Sequence, residues 1–597
     1  MKTLWKTAGV VVLASTGAAW AQSTPTTTAV LGTEASNPIA QGLGWATRPT
    51  LNNAGEVALV AGGVGTEYPF GIWIVGADGV PRNVVARGDL LPDASDTFLD
   101  FGGVGVSLND AGDVAFFGQS STDDVREVGL YVFDDGAVTE IGDAGDDLAG
   151  GRTISRFELG VGSSGGPIPP ALLRPTISDD GLTAAVYYSV SGTSGAGVIA
   201  GGGVIEPTTV AFSFTPSPTS SNYLGFIGAP PPPVDDQERV NFYSRLQTNV
   251  DGLFRESTAD GVPGEVMILE GETVGGELIL FANPFFGRPT VAQSSGLVYA
   301  VGRVGINEVP TVLAGDDGAV SVVASAGDPL LNRPGDVLDS MAVLDANNVG
   351  QAVVGEFVNN YRSGAIRVGA EGAVRIFEGG DPAPDGNGTF DAVRNGLGMT
   401  PDGDASINDA GQVVFAASLS NTVGGDADDV GIFFFDDRLG LLTVAREGDT
   451  INGQTLTFIL TETGEFGGGD NGDAFNEHGQ VAFLYQTGDV LDGRVAVWTP
   501  PSIDDIVPGD ANLDGVVDLA DFGVLRANFG ETWAYLTTAD FDGDRDVDLA
   551  DFGILRANFG GSASDLAALD AWAVTVPEPA MAGVLAVGAV VMLRRRP

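Results

Sequence analysis

Two segments thirty residues apart repeat one arrangement of oxygen-bearing side chains: Asp510, Asn512, Asp514, Asp518 and Asp521, then Asp540, Asp542, Asp544, Asp548 and Asp551. Within each twelve-residue segment these fall at positions 1, 3, 5, 9 and 12, and position 7, Val516 or Asp546, adds its backbone carbonyl. Six to eight oxygens at that spacing replace the water shell of a hard cation. Magnesium dehydrates reluctantly, so calcium is the better match, one ion per segment and two in all. A merely solvated acidic surface has no reason to repeat its acids in register.

The elements that position these loops repeat as well. Leu519 to Gly530 and Leu549 to Gly560 are identical except for Val524 against Ile554. Leu519, Phe522, Leu525 and Phe529 lie near a helical repeat, and Gly530 and Gly560 stand where C-terminal caps belong, which predicts a helix after each loop. Loop then helix, twice, without the helix that precedes an EF-hand loop, resembles a type I dockerin over Gly509 to about Gly561. The resemblance implies a small all-α calcium-binding module at 506–563 and a cohesin-like partner in an extracellular assembly. Two positions depart from it. Arg545 stands at position 6, where the first loop has Gly515, so weaker calcium binding is expected in the second loop. Leu519-Ala520 and Leu549-Ala550 stand at positions 10 and 11, where dockerins tend to carry polar residues for recognition.

Both chain ends read as export signals. Lys2 and Lys6 precede the apolar run Ala8 to Ala19, and Ala19-Trp20-Ala21 supplies a small-x-small cleavage pattern, so residues 1–21 are a secretory signal peptide. After a linker at 564–575, Val576-Pro577-Glu578-Pro579 leads into the apolar run Ala580 to Leu593 and then Arg594-Arg595-Arg596. That order resembles a PEP-CTERM sorting signal at 576–597, which implies an exosortase-type processing enzyme and a bacterium with an outer membrane. The run has fourteen residues. As a hydrophobic helix it spans about 21 Å against a hydrocarbon core of about 30 Å, short for a durable anchor. The alternative is an ordinary membrane helix with its basic residues on the cytoplasmic side. Either reading gives export with membrane attachment that is at least transient, and the sorting-signal reading places the protein at the cell surface, outer envelope or extracellular matrix.

Composition narrows the chemistry. Lys2 and Lys6 are the only lysines, so the mature chain has none; cysteine is absent and His478 is the single histidine. Schiff-base, thiol and Cys/His zinc chemistry are excluded. With 79 Asp+Glu against 28 Lys+Arg, a net charge of -51 argues against nucleic acid as a partner.

The long middle of the chain is a tandem array. One phrase recurs from Leu51, Leu108, Ile407 and Phe475 as apolar, Asn, polar, any, Gly, polar, then Val and two more apolar residues; weaker copies start at Ile177, Val234, Ala292 and Leu344. Counted from the Asn place they fall at 52, 109, 178, 235, 293, 345, 408 and 476, in steps of 52 to 69. Each phrase is followed by apolar runs ending in Asp/Gly turns, with no helical period. Three or four short strands per step predict a mainly β fold, a β-propeller at 22–505 with eight blades, or seven if the Val234 copy is an insertion. The last unit lacks its third run, and Thr28 to Glu34 looks like the missing piece, which predicts ring closure by both termini. The phrase resembles the NxxGxxAF repeat of secreted bacterial proteins. Its Asn or Asp suits an Asx-turn, its Gly a positive φ, and His478 is read as a turn residue rather than a base.

Two functions remain open at this point. One is an exported, surface-associated, non-enzymatic binding or structural protein whose partner is a matrix or polysaccharide component. The other is an extracellular carbohydrate-active hydrolase or polysaccharide lyase carrying a dockerin. No catalytic residues are assigned, because the acids are too many for any pair to stand out.

Overall fold

The structure, a computed structural model, describes residues 26–31 and 49–574 apart from 62–69, 77–80, 95, 102–105, 121–127, 149–151, 158–174, 190–194, 204, 220, 227–231, 260–261, 281–289, 317, 340, 359–360, 392–404, 452, 461–473 and 488–493. Ala19, Ala21, Pro577, Glu578, Pro579, Arg594, Arg595, Arg596 and the apolar run 580–593 lie outside these residues. Among the described residues no helix is long and apolar enough to cross a membrane. The chain divides into two compact units, one formed by Thr27–Phe434 with Thr443–Trp498, the other containing Phe435–Leu442 and the residues from Thr499 onward.

In the first unit every phrase folds as a tight hairpin. Thr50–Leu51 turns through Asn52 to Gly55 and returns as Val57–Ala61. Further strands of β-branched and aromatic residues extend each hairpin into an antiparallel sheet, and eight such sheets follow one another, making an eight-bladed propeller. The weak Val234 copy is a blade of its own, with Val234–Asp235 and Tyr223–Phe226 on Arg239–Leu246, then Asp251–Ser257 and Glu265–Leu269. In the eighth blade the order is Thr26–Leu31, Arg494–Thr499, Val481–Thr487 and Gln454–Leu460. The N-terminal strand therefore supplies the outermost strand of the last blade, as the truncated last unit predicts, two residues earlier than expected.

Apolar side chains fill the seams between blades. The residue seven places after the Asn place is buried in every unit: Leu59, Phe116, Ala185, Phe242, Ala300, Val354, Phe415 and Phe483. Leu51, Val57, Leu59 and Val75 of the first blade pack with Ala482, Leu484 and Val495 of the eighth, so the closing seam is as apolar as the others.

The phrase turns join the blades in two tiers: at the Asn place five bonds run from the sixth blade round through the first to the third, and at the residue after it a full circle links each blade to the next. At the Asn place, Asn52 Nδ2 donates to Asn109 O at 3.0 Å and Asn109 Nδ2 to Ser178 O at 2.9 Å. Asn347 Nδ2 donates to Asn408 O, Asn408 Nδ2 to Asn476 O and Asn476 Nδ2 back to Asn52 O, at 2.8, 3.2 and 3.0 Å. The residue after it builds the second tier. Asn53 N donates to Asp110, Asp110 N to Asp179, Asp179 N to Asp236, Ser294 Oγ to Asp236, Ser294 N to Asn348, Asn348 N to Asp409, Asp409 N to Glu477 and Glu477 N to Asn53. Gln293 Nε2 even reaches past the fourth blade to Ile177 O of the third. Neighbouring sheets approach this closely only near the ring axis, so the phrase strands are the innermost of each blade.

One position needs correcting. The Asn place of the sixth unit is Asn347 and not residue 345: Asn347 N donates to Gln351 O, and Gly350 follows at φ 93°. Asp345 lies in the preceding strand, buried, accepting from Ile407 N at 2.9 Å.

The second unit is helical. α1 spans Leu519–Asn528, α2 Leu549–Asn558 and α3 Ala563–Ala573. Their core is Leu525, Val517, Val547, Phe552, Leu555 and Leu569, with Trp572 against Phe522, Phe529 and Phe552. α3 corrects the expected linker at 564–575. Ser562 caps it, accepting from Asp565 N while the Asp565 side chain receives the Ser562 N–H, and Leu569 and Trp572 give it an apolar face to bury. Gly530 caps α1 at φ 89°, but Gly560 does not adopt a positive φ, and Leu519 is 48% exposed because it opens its helix instead of facing the core.

Candidate metal centres

Each loop is shaped by its first and twelfth carboxylates, all buried: Asp510 and Asp521, Asp540 and Asp551. Asp510 accepts the N–H of Gly515 at 2.8 Å and of Asp514 at 3.2 Å. Asp521 accepts those of Ala511, Asn512 and Asp518 at 2.8, 3.2 and 2.8 Å. In the second loop Asp551 takes the same three donors, Phe541, Asp542 and Asp548 at 2.7, 3.2 and 2.8 Å, while Asp540 accepts from Arg545 at 3.1 Å, the match of Gly515, and from Gly543 at 2.7 Å, one place before the match of Asp514. Asp518 and Asp548 double as helix N-caps, accepting from Ala520 N and Ala550 N. The loops are also tied to each other, Gly530 N to Val547 O at 2.8 Å and Gly560 N to Val517 O at 2.9 Å.

Electrostatics sets these acids apart. Burial pushes the carboxyls of Asp510, Asp521 and Asp540 above the usual range, against the backbone N–H bonds that favour their charge, and raises Asp551 to about 6. Asp546 is raised by burial and by Asp544 and Asp548. Asp540, Asp542 and Asp544 offer oxygens within 4.8 Å of one another, and Asp546, Asp548 and Asp551 do the same. Asp546 thus brings a carboxylate to the second loop, whereas Val516 at the matching position points its side chain outward, 53% exposed. An all-oxygen donor set, crowded and partly desolvated, fits a hard divalent cation that would supply the missing positive charge. Arg545 holds φ 71° where Gly515 holds 84°, so the second loop keeps its turn despite a side chain there.

Sequence reasoning did not reach two buried polar networks of the first unit. In the fourth blade the Asn place is Asp235, fully buried, and Arg239 Nε and Arg255 Nε lie 3.1 and 3.6 Å from it. In the seventh, Arg446 Nη1 holds Asp385 at 2.7 Å and Arg446 Nε donates to Asp428 O at 2.7 Å. Hydrogen bonds from the Thr422 hydroxyl, Asn387 and Gly424 N–H hold Asp428 below the usual carboxylate range, while burial and Asp428 raise Glu447 to about 7. His478 is an exposed turn residue whose N–H donates to Asn476 Oδ1 at 3.1 Å.

A family described as a family of unknown function, DUF7453, matches residues 6–158 and 174–499. The chain belongs to that family. No curated protein matches it. Solved structures similar to this DUF7453 chain include the β-propeller domain of the Trilobed protease from Pyrococcus furiosus, at 10% identity and TM-score 0.32, covering 76% of this chain and 92% of that one. A lectin of Aleuria aurantia is similar at 11% identity and TM-score 0.24, covering 57% and 94%. A sialidase of Trypanosoma rangeli is similar at 10% and 0.25, covering 75% and 61%. At such values none bears on the chemistry of the DUF7453 propeller.

Proposed function

We propose that this chain is an exported, non-enzymatic surface protein whose propeller presents a ligand- or partner-binding surface and whose C-terminal module, loaded with two calcium ions, mediates assembly. The observation that carries the reading is the matched pair of loops, in which the buried twelfth carboxylates take the same three backbone donors and the buried first carboxylates share the donor at position 6. Asp510, Asn512, Asp514, Asp518 and Asp521 with the Val516 carbonyl would hold one ion, and Asp540, Asp542, Asp544, Asp548 and Asp551 with the Asp546 carbonyl the other. Each ion would neutralise its acids and fix the helix that follows. Export by the 1–21 leader, and sorting by Pro577-Glu578-Pro579 and the Arg594-Arg595-Arg596 end, complete the reading; a cohesin-like protein or a matrix polysaccharide is the partner it calls for. The test is native mass spectrometry of the chain from 22 to 575 with and without chelator, alongside a glycan array with parallel hydrolysis assays. Two bound calcium ions and glycan or protein capture without turnover are expected; absence of bound calcium would overturn it.

One observation favours a hydrolase as the second reading. Asp428 and Glu447 sit side by side with their carboxyls shifted in opposite directions, the pattern of a base and an acid. Polysaccharide cleavage abolished by Glu447→Gln would decide for it.

A further inference from the structure

We infer that the second calcium loop is a tether for the segment Phe435–Leu442, so that filling that loop orders the segment and emptying it releases the segment. The inference rests on the calcium reading proposed above; Phe435–Asp436 and Gly440–Leu442 end the paired strands Val430–Asp436 and Gly440–Arg446, so the part that the tether orders is the turn between them and the strand ends beside it.

The two loops are near copies, and their differences at positions 4 and 6 point the same way. At position 4 the first loop has Leu513 and the second Gly543, where a Cβ would lie 2.5 Å from the Arg438 guanidinium; the missing side chain makes room for Arg438. At position 6 the first loop has Gly515 and the second Arg545, whose guanidinium lies 4.6 Å over the Trp533 ring and 3.9 Å from Asp437. An arginine at a left-handed position is strained, and the loop tolerates it where the side chain finds partners. Between the loops, the short turn Leu536–Thr538 adds backbone pairing: Leu536 N donates to Arg438 O at 2.8 Å, and Thr537 N and Oγ1 donate to Leu439 O at 3.2 and 2.7 Å. Phe435 meets Tyr535 edge to face at 5.5 Å, and Gly440, at φ 85°, leaves the space a Cβ would contest with Thr537 and Tyr535.

Calcium bears on this contact because the same short stretch makes both. Arg545 N donates to Asp540, the first ligand of the loop, while its side chain faces Asp437, and Asp540 N is itself held by Tyr535 O at 3.0 Å. Without the cation, Asp540, Asp542 and Asp544 repel one another and the loop that carries Arg545 and Gly543 loosens. The first loop, with Leu513 and Gly515 in those places, shows no such link among the described residues.

Hydrogen exchange on the full chain tests this, read on peptides covering 435–442 and 532–540, with calcium and with chelator. Chelation is expected to speed exchange in both peptides roughly tenfold or more. Asp540→Ala should do so with calcium present, and Asp510→Ala should do so less. Arg545→Gly, which suits the turn and keeps the loop's ligands, should free 435–442 while two calcium ions still bind by native mass. Two ions bound with unchanged exchange at 435–442 after chelation would overturn the tether and leave the calcium reading standing. No ion bound would overturn both.

Discussion

Asn476 closes the ring, and its replacement isolates what closure is worth. Its Nδ2 donates to Asn52 O and to Gln480 Oε1, both at 3.0 Å, and its Oδ1 accepts from Gln480 N at 2.9 Å and His478 N at 3.1 Å. Serine at this place keeps an acceptor for the turn, as Ser178 does for Leu182 N in the third blade. Asn476→Ser therefore removes the donor alone and should cost about 1–2 kcal/mol. Asn476→Ala also strips the turn's acceptor and should cost about 2–4 kcal/mol. Asn476→Asp keeps the acceptor but buries a charge facing two oxygens, with no counterpart of the Arg239 and Arg255 that flank Asp235, and should cost about 3–5 kcal/mol. The assay is chemical denaturation followed by tryptophan emission at fixed calcium, since the buried Trp498 reports on the eighth blade. An Asp variant as stable as the Ser variant, or an Ala variant within about 0.5 kcal/mol of the parent, would refute the reasoning.

Glu447, raised to about 7, adds stability below its unfolded value, and that contribution is lost as pH rises through 7. Glu447→Gln should thus stabilise the chain by ~2 kcal/mol at about pH 8 and be near neutral at about pH 4; melting temperatures that shift equally at both would refute it. In the third blade Arg156–Phe157 and Thr176–Ile177 pair with Tyr187–Tyr188 and Thr183–Ala184 of one strand, so the ends of the intervening segment lie only a few residues' rise apart. Replacing 158–174 by a linker of about four Gly and Ser residues should leave circular dichroism and cooperative melting in place; a broadened melt would count against it. Asp510→Ala should cost more calcium affinity than Asp540→Ala, because Arg545 strains the second loop where Gly515 does not. Calorimetric titration giving equal losses would contradict that ranking.

What was legible in the sequence was local. The paired acidic loops and the phrase hairpins declare themselves within a dozen residues, and ring closure was visible because one unit lacks a strand and the N-terminus offers it. The two tiers of hydrogen bonds were not legible, since each partner lies 54 to 69 residues away and the closing one 424. α3 carried a signal, Ser562 with Asp565 three places on, but read as a linker because its Ala- and Ser-rich stretch lacks a strong apolar period. The place of the sixth Asn was missed by two residues because Asp345 follows the apolar Leu344 as the phrase asks, although the Gly three places on, Gly350, belongs to Asn347; the turn Asn347 N to Gln351 O and the partner across the seam, Asn408, settle it.

That long-range constraint also explains where the repeat decays. The copies that depart furthest from the phrase, with Ser178, Asp235 and Gln293 at the Asn place, belong to three consecutive blades, and there the inner tier is rerouted. Gln293 reaches past the fourth blade to Ile177 O at 2.7 Å, while Asp235, a carboxylate with nothing to donate onward, accepts from Arg239. Arg255 completes the exchange by donating to Gly296 O of the next blade and to Asn241 at 2.9 Å. A count that demanded Asn at that place would lose these three blades, whereas the looser phrase and the strand pairing both keep all eight.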